Sequence, residues 1–215
     1  MASVKPRRSY SSPVREQSAR RSREAVIAAA HAVFVEHGYA SATIEQIAHQ
    51  AGVSRPTVFA VGTKAQLLAL ARLKAIAGES PLGNDQRFQA LLAITDPAAL
   101  IASFARFTAD IARRLGPLAA VLEQAAPTDP ELGELLRRSQ HELLDCARAV
   151  IAAIHAAGGL HPRHSPSRAA DALWLLIHPN QYQRLVADRG WSHRTYEHWQ
   201  TQTMLTLFIG NPPAR

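Results

Sequence analysis

Between Thr43 and Leu68 the sequence reads TIEQIAHQAGVSRPTVFAVGTKAQLL, which sets hydroxyls at Thr43, Ser54 and Thr57 and cations at Arg55 and Lys64. Hydroxyls and cations bond phosphate oxygens, and the arginine fork matches the paired acceptors on the edge of guanine. The same hydroxyls also cap helices. The stretch is therefore open to two readings, a capped helical hairpin inside a core or a device for entering a DNA groove.

Other chemistry is poorly supplied. His161 and His164 have a spacing found among metal ligands, but a proline lies between them and no carboxylate stands nearby. Asp188, Ser192 and His193 include the residue types of a hydrolase, without the glycines that surround a nucleophilic serine. No glycine-rich loop could cradle a phosphate. No catalytic group, metal or cofactor is expected, although an enzyme remains the rival class that turnover independent of DNA would reveal.

The elements that must position Arg55 and Thr57 are legible from caps and periodicity. Val26, Ile27, Ala30, Val33 and Phe34 recur at helical spacing over about Gln17 to His37. Gly38 suits a left-handed end to that helix, with Tyr39 packing back on its last turn. Thr43 with Gln46 forms a capping box for a second helix. Ser54 caps a third helix, about Arg55 to Val61, with Pro56 in its first turn. Thr63 with Gln66 opens a fourth. A steep helix-turn-helix crossing needs a small residue at the contact and a glycine at the turn, and Ala48 and Gly52 stand four apart. Ile44, Ile47 and Ala51 face inward from the second helix, Val53 plugs the turn, and Val58 and Val61 close from the third.

Further on, Asp96-Pro97, Asp129-Pro130 and Ser165-Pro166 each set a capping side chain before a proline at the first helical position. Long apolar stripes follow, one from Leu100 to Leu115 and another from Leu132 to Ile154. A third runs from Ala170 through a kink at Pro179 to Val186, and a last helix begins after Ser192. The expected fold is all-α: a disordered basic arm at 1–16, a three-helix DNA-binding unit at 17–62, and a bundle of five or six helices at 63–215.

Charge supports a polyanion partner at one end. Residues 1–25 carry seven basic side chains against two acidic, so +5 of the net +7 lies there. No apolar run is long enough to span a membrane, and no apolar segment follows the basic N-terminus as a secretory signal requires. Cys146 is the only cysteine, which excludes an intramolecular disulfide and fits a reducing cytoplasm.

Residues 23–68, REAVIAAAHAVFVEHGYASATIEQIAHQAGVSRPTVFAVGTKAQLL, resemble the DNA-binding domain of the tetracycline-repressor (TetR) family of bacterial regulators. The resemblance rests on Phe34, Gly38, Tyr39 and Thr43, on Ile47 through Phe59, and on Lys64, Leu67 and Leu68. One departure is FAVGTK, which is a residue short of the family pattern and lacks its usual phenylalanine, so a tighter or distorted junction before Lys64 is expected.

The resemblance implies a sequence-specific regulator, a repressor released from a double-stranded operator by a small-molecule effector. The third helix would then enter the major groove N-terminus first. Arg55 and Thr57 would read base edges, and Pro56 would touch thymine methyls or set the helix start. Thr43, Ser54 and Lys64 would hold phosphates. Phe59, in the family's tyrosine position, would pack against the sugar backbone, while Arg20, Arg21 and Arg23 would reach the backbone or a neighbouring minor groove. A non-specific DNA binder using only the basic arm is the alternative. The resemblance also implies a homodimer built on the last two helices, about 166–188 and 192–210, through Leu173, Leu176, Ile177, Trp199, Thr203, Leu207 and Phe208. The effector pocket would draw on Phe104, Phe107, Cys146, Trp174, His178 and Tyr182, for each of which an ordinary core role is an equal reading.

Overall fold

The computed structural model describes residues 13–78 and 84–209, which form ten α-helices and a single isolated bridge, Leu160 to Ile209. The head comprises α1 (Pro13–Ser41), α2 (Ile44–Ala51) and α3 (Arg55–Val61). Behind it lie α4 (Lys64–Ala77), α5 (Asn84–Leu92), α6 (Pro97–Ala125), α7 (Pro130–Ala156), α8 (Pro166–Leu176), α9 (Pro179–Tyr182) and α10 (His193–Phe208). A π-helical turn, Gln183–Ala187, follows α9.

Side-chain caps set most of these boundaries. Thr43 Oγ1 accepts from the Gln46 amide at 3.2 Å while Gln46 Oε1 accepts from the Thr43 amide at 2.8 Å. Thr63 and Gln66 repeat the exchange at 3.2 and 3.0 Å. Asp96, Asp129, Ser165 and Ser192 each accept from a first-turn amide of α6, α7, α8 and α10. Each cap satisfies a donor the helix itself leaves open, for about 1 kcal/mol apiece.

Four features differ from expectation. Helix α1 starts at Pro13, inside the segment expected as a disordered arm; the rest of that arm, 1–12, lies outside the described residues. At the other end Gly38 (φ 73°) breaks the helix, but one more turn follows to Ser41. Tyr39 stacks back on Phe34 as anticipated, ring centres 5.8 Å apart. Helix α5 was not anticipated, because NDQRFQALL offers only Phe88, Leu91 and Leu92 as large apolar residues. The stripe expected over 166–188 is broken rather than kinked. His178 takes an extended conformation (φ −63°, ψ 129°), since the ring of the following proline disfavours the helical region for the residue before it.

One apolar core joins the head to the bundle. Val26, Phe34, Ile47, Val58, Leu67 and Leu68 share a cluster with Leu118, Leu122 and Leu132. Helix α6 is the common partner, packing on α1, α4, α5, α7, α9 and α10. A second cluster, around Phe104, Ile151, Leu173 and Phe208, fills the space among α6, α7, α8 and α10. A third surrounds Tyr182 and Tyr196.

The turn between α2 and α3 depends on Gly52, whose φ of 65° strains any residue with a Cβ. Gly52→Ala is expected to destabilise the protein by about 1–2 kcal/mol and to lower its thermal midpoint by roughly 2–6 °C. Circular-dichroism melting checks this, with Gly52→Asn expected to recover part of the loss.

Candidate nucleic-acid interface and the cavity behind it

The turn that aims α3 is a paired hydrogen-bond closure. The Gly52 amide donates to His49 O at 3.2 Å and the Val53 amide reaches back to Ala48 O at 3.0 Å, consuming two carbonyls at the end of α2. Ala48 and Ile47 are buried at the contact, Val58 is fully buried opposite them, and Val53 and Val61 pack against the same core. The inward set inferred from spacing is thus brought together.

What α3 leaves outside is equally defined. Arg55 and Pro56 are exposed in its first turn, Thr57 is half-buried beside them, and Phe59 is 55% exposed, unusual for a phenylalanine. Ser54 caps the helix, its Oγ 2.9 Å from Thr57 Oγ1. Thr43 is exposed at the start of α2, and Arg20, Arg21 and Arg23 are exposed along α1.

Two cations have protein partners. Arg55 Nη1 lies 2.8 Å from Glu45 Oε1, both groups more than half exposed, so the pair adds little stability but competes for the guanidinium. Glu45 was missed because nothing in its spacing relates it to a residue ten positions away on another helix. Lys64 donates from Nζ to Ala40 O at 3.3 Å and sits 4.6 Å over the Tyr39 ring. Partial burial there pulls its pKa below the usual lysine value.

The junction before Lys64 is closely packed. Gly62 is extended (φ 162°, ψ 175°), and a Cβ on it would lie 2.9 Å from Gln66 Cβ, so only glycine fits beneath the capping glutamine. Tyr39 extends the link further. Its hydroxyl donates to Asp129 Oδ2 at 3.0 Å, and burial, with Asp129 second, drives its pKa far above the ordinary value. Asp129 also caps α7, so the end of α1 is tied to the start of a bundle helix.

Behind the head, α4, α5, α6 and α7, with the α8–α9 break, line a cavity of about 200 Å³. Of the residues named for an effector pocket, Phe104, Phe107, Cys146 and His178 line this cavity and Trp174 and Tyr182 do not. Trp174 packs against the second core cluster with its ring 5.8 Å from His178. Tyr182 is turned the other way, against Tyr196 at 4.8 Å, with its hydroxyl 3.2 Å from His193 Nδ1. The break at Pro179 causes this, because it resets the phase of the chain after Ile177.

Arg72 reaches the cavity from α4 and was not foreseen, although an arginine in the stripe Leu68, Arg72, Ile76 was a readable signal. It is 6% exposed and donates from Nη2 to Ser139 Oγ at 3.0 Å. Burial pushes its pKa down to about 10, opposed by Glu142 and Glu123, so it stays charged at neutral pH. His178 Nδ1 accepts from the Asn180 amide while Nε2 faces Glu123 Oε1 at 3.7 Å; burial holds its pKa below the ordinary value.

The face expected to pair two copies needs correction. Leu173, Ile177 and Phe208 are buried within the chain's own core and leave no surface for a partner. Leu176, Trp199, Thr203 and Leu207 are half-buried, and Leu175, overlooked on the same helix, is 54% exposed. Ser192 spends its hydroxyl on capping α10, and His161 and His164 stand apart in the α7–α8 loop, ring centres 6.1 Å apart.

The sequence profile of the bacterial regulatory proteins, tetR family, matches residues 26–69. No curated protein shows significant sequence similarity. Solved structures share the fold over most of their length. NalD of Pseudomonas aeruginosa, the secondary repressor of the MexAB-OprM multidrug efflux pump, is 21% identical with a TM-score of 0.67, covering 89% of this chain and 98% of its own. SmeT in complex with triclosan is 19% identical with a TM-score of 0.68, covering 88% and 92%. A transcriptional regulator from Saccharomonospora viridis in complex with choline is 16% identical with a TM-score of 0.70, covering 91% and 100%. Residues 26–69, which hold the helix-turn-helix, thus match the TetR family profile, and the chain shares its fold with these solved structures over most of its length.

Proposed function

We propose that the protein is a homodimeric repressor that binds a specific DNA operator and releases it when a small molecule enters the cavity among α4, α6 and α7. The observation that carries this reading is the double role of α4. Its first residue, Lys64, packs on the head at Tyr39 and Ala40, and its third and fourth turns bring Arg72 and Ile76 to the cavity wall. A helix of 14 residues, about 21 Å long, therefore connects a ligand-sized space to the element adjoining α3. A ligand that favours one setting of α4 shifts the angle of the head by its differential affinity for the two settings. The Tyr39–Asp129 hydrogen bond supplies a second tie between head and bundle.

On DNA, the exposed start of α3 enters the major groove. Arg55 leaves Glu45 for a guanine edge, Thr57 reads a neighbouring base, and Pro56 contacts thymine methyls. Thr43 and Ser54 keep their caps and add phosphate contacts, Phe59 packs on sugar, and Lys64 meets the backbone while staying tied to α1. Arg20, Arg21 and Arg23 hold the flanking backbone. The half-site read by one head calls for two copies. Leu175, Leu176, Trp199, Thr203 and Leu207 form the apolar surface on α8 and α10 that a second subunit would cover.

Arg55→Ala is expected to weaken operator binding by roughly 1–3 kcal/mol and to flatten the preference among operator variants in gel shifts. Lys64→Ala should weaken all sequences about equally and also cost some stability, since its ammonium braces α1. A protein that binds only through its basic arm would show neither pattern. Glu45→Gln should raise affinity for every DNA sequence a few-fold, by freeing Arg55 and removing a charge that repels phosphate, while the melting temperature stays unchanged. Tyr39→Phe should lower stability by about 1 kcal/mol and blunt the change in DNA affinity that a cavity ligand produces. Titration of labelled operator with and without that ligand reads the latter effect.

A further inference from the structure

From the setting of Arg72 we infer that the cavity takes a monocarboxylate with a ring-sized apolar body, its carboxylate held by the Arg72 guanidinium. This rests on the effector reading above and assigns its ligand a chemical class. The guanidinium is almost wholly withdrawn from solvent yet has no carboxylate within ion-pair distance among the described residues. Its one hydrogen bond is to Ser139 Oγ, whose own hydrogen is donated to Leu135 O at 2.9 Å. A guanidinium presents five donors, so most remain unused by the protein. Burying such a charge without a partner is costly, and a carboxylate answers it in a planar, two-pronged geometry.

The rest of the wall limits the ligand's other end. Phe88, Phe104, Phe107, Ile111 and Leu143 provide an apolar surface with aromatic faces. A volume of about 200 Å³ exceeds the roughly 150 Å³ that houses one benzene molecule, which leaves room for a ring and a short acid arm. The negative groups at the cavity select against higher charge. Glu123 is committed to His178 and to Asn180 Nδ2, and Glu142 stands exposed at the rim; both lie near enough to act on Arg72. A phosphate or dicarboxylate would bring a second negative charge against them, whereas a single carboxylate balances the guanidinium. Because Arg72 belongs to α4, the carboxylate would also draw directly on the helix that adjoins the DNA-reading head.

The test compares 3-phenylpropionate with its neutral amide, 3-phenylpropionamide, and with the cation benzyltrimethylammonium. Each is titrated by calorimetry into the full chain, and each is then tested for release of the operator. The carboxylate is expected to bind about tenfold or more tightly than the amide, with no measurable binding of the cation. In Arg72→Met, which keeps the length and apolar stem of the side chain, the acid and the amide should bind within about twofold of each other. Equal binding of acid and amide by the unaltered protein overturns the assignment whether or not the variant folds. Preference for the cation, absence of binding by the acid, or persistence of the acid preference in a folded Arg72→Met protein also overturns it. If the amide or cation binds and releases operator while the acid does not, the effector reading stands and the carboxylate class falls. If the acid binds through Arg72 without altering operator affinity, the ligand class stands and the effector reading falls.

Discussion

The structure depends on the absence of an apolar seam between head and bundle. Phe34, Ile47, Val58 and Leu67 belong to the same packed cluster as Leu118, Leu122 and Leu132. Close-packed interiors transmit displacement because they have few voids to absorb it. Helix α4 belongs to both regions, with Leu67 and Leu68 in the shared core and Arg72 and Ile76 at the cavity wall. The expected division at residue 62 separates helix groups along the chain, while the core runs across it.

Polar groups are handled by two different economies. On the surface, i,i+3 pairs such as Arg137 with Glu134 and Arg148 with Asp145 are exposed and interchangeable with water. Inside, almost every polar contact has a structural task. Thr108 returns its hydroxyl to Phe104 O and Ala105 O, and Gln200 holds Leu176 O and the Tyr196 hydroxyl. Arg72 stands out against that background as a buried cation with one neutral partner. The contrast gives the cavity its character, since the same wall without Arg72 would suit a neutral apolar molecule.

The head combines capping with exposure. Ser54 and Thr43 hold their helices by capping, yet both remain exposed. Arg55 is paired with Glu45 rather than free in solvent, at a small ordering cost. Gly62 allows the shortened junction, because the capping glutamine of α4 folds into the space a Cβ would occupy.

Local chemistry was legible in the sequence. Caps at Thr43, Ser54, Thr63, Asp96, Asp129, Ser165 and Ser192, the turn at Gly52, and the bounds of α3 all follow from neighbours within a few residues, where propensity and hydrogen bonding act directly. The resemblance across residues 23–68 likewise needed only short spacings. Long-range facts were not legible. Which side of a stripe faces a cavity, a core or solvent depends on what packs against it, so Trp174 and Tyr182 fell away from the pocket and Leu173, Ile177 and Phe208 from the surface. Arg55 with Glu45, Tyr39 with Asp129, and Arg72 with Ser139 join residues on different helices. Periodicity carries no information on such pairs; only the docking of one helix on another decides them.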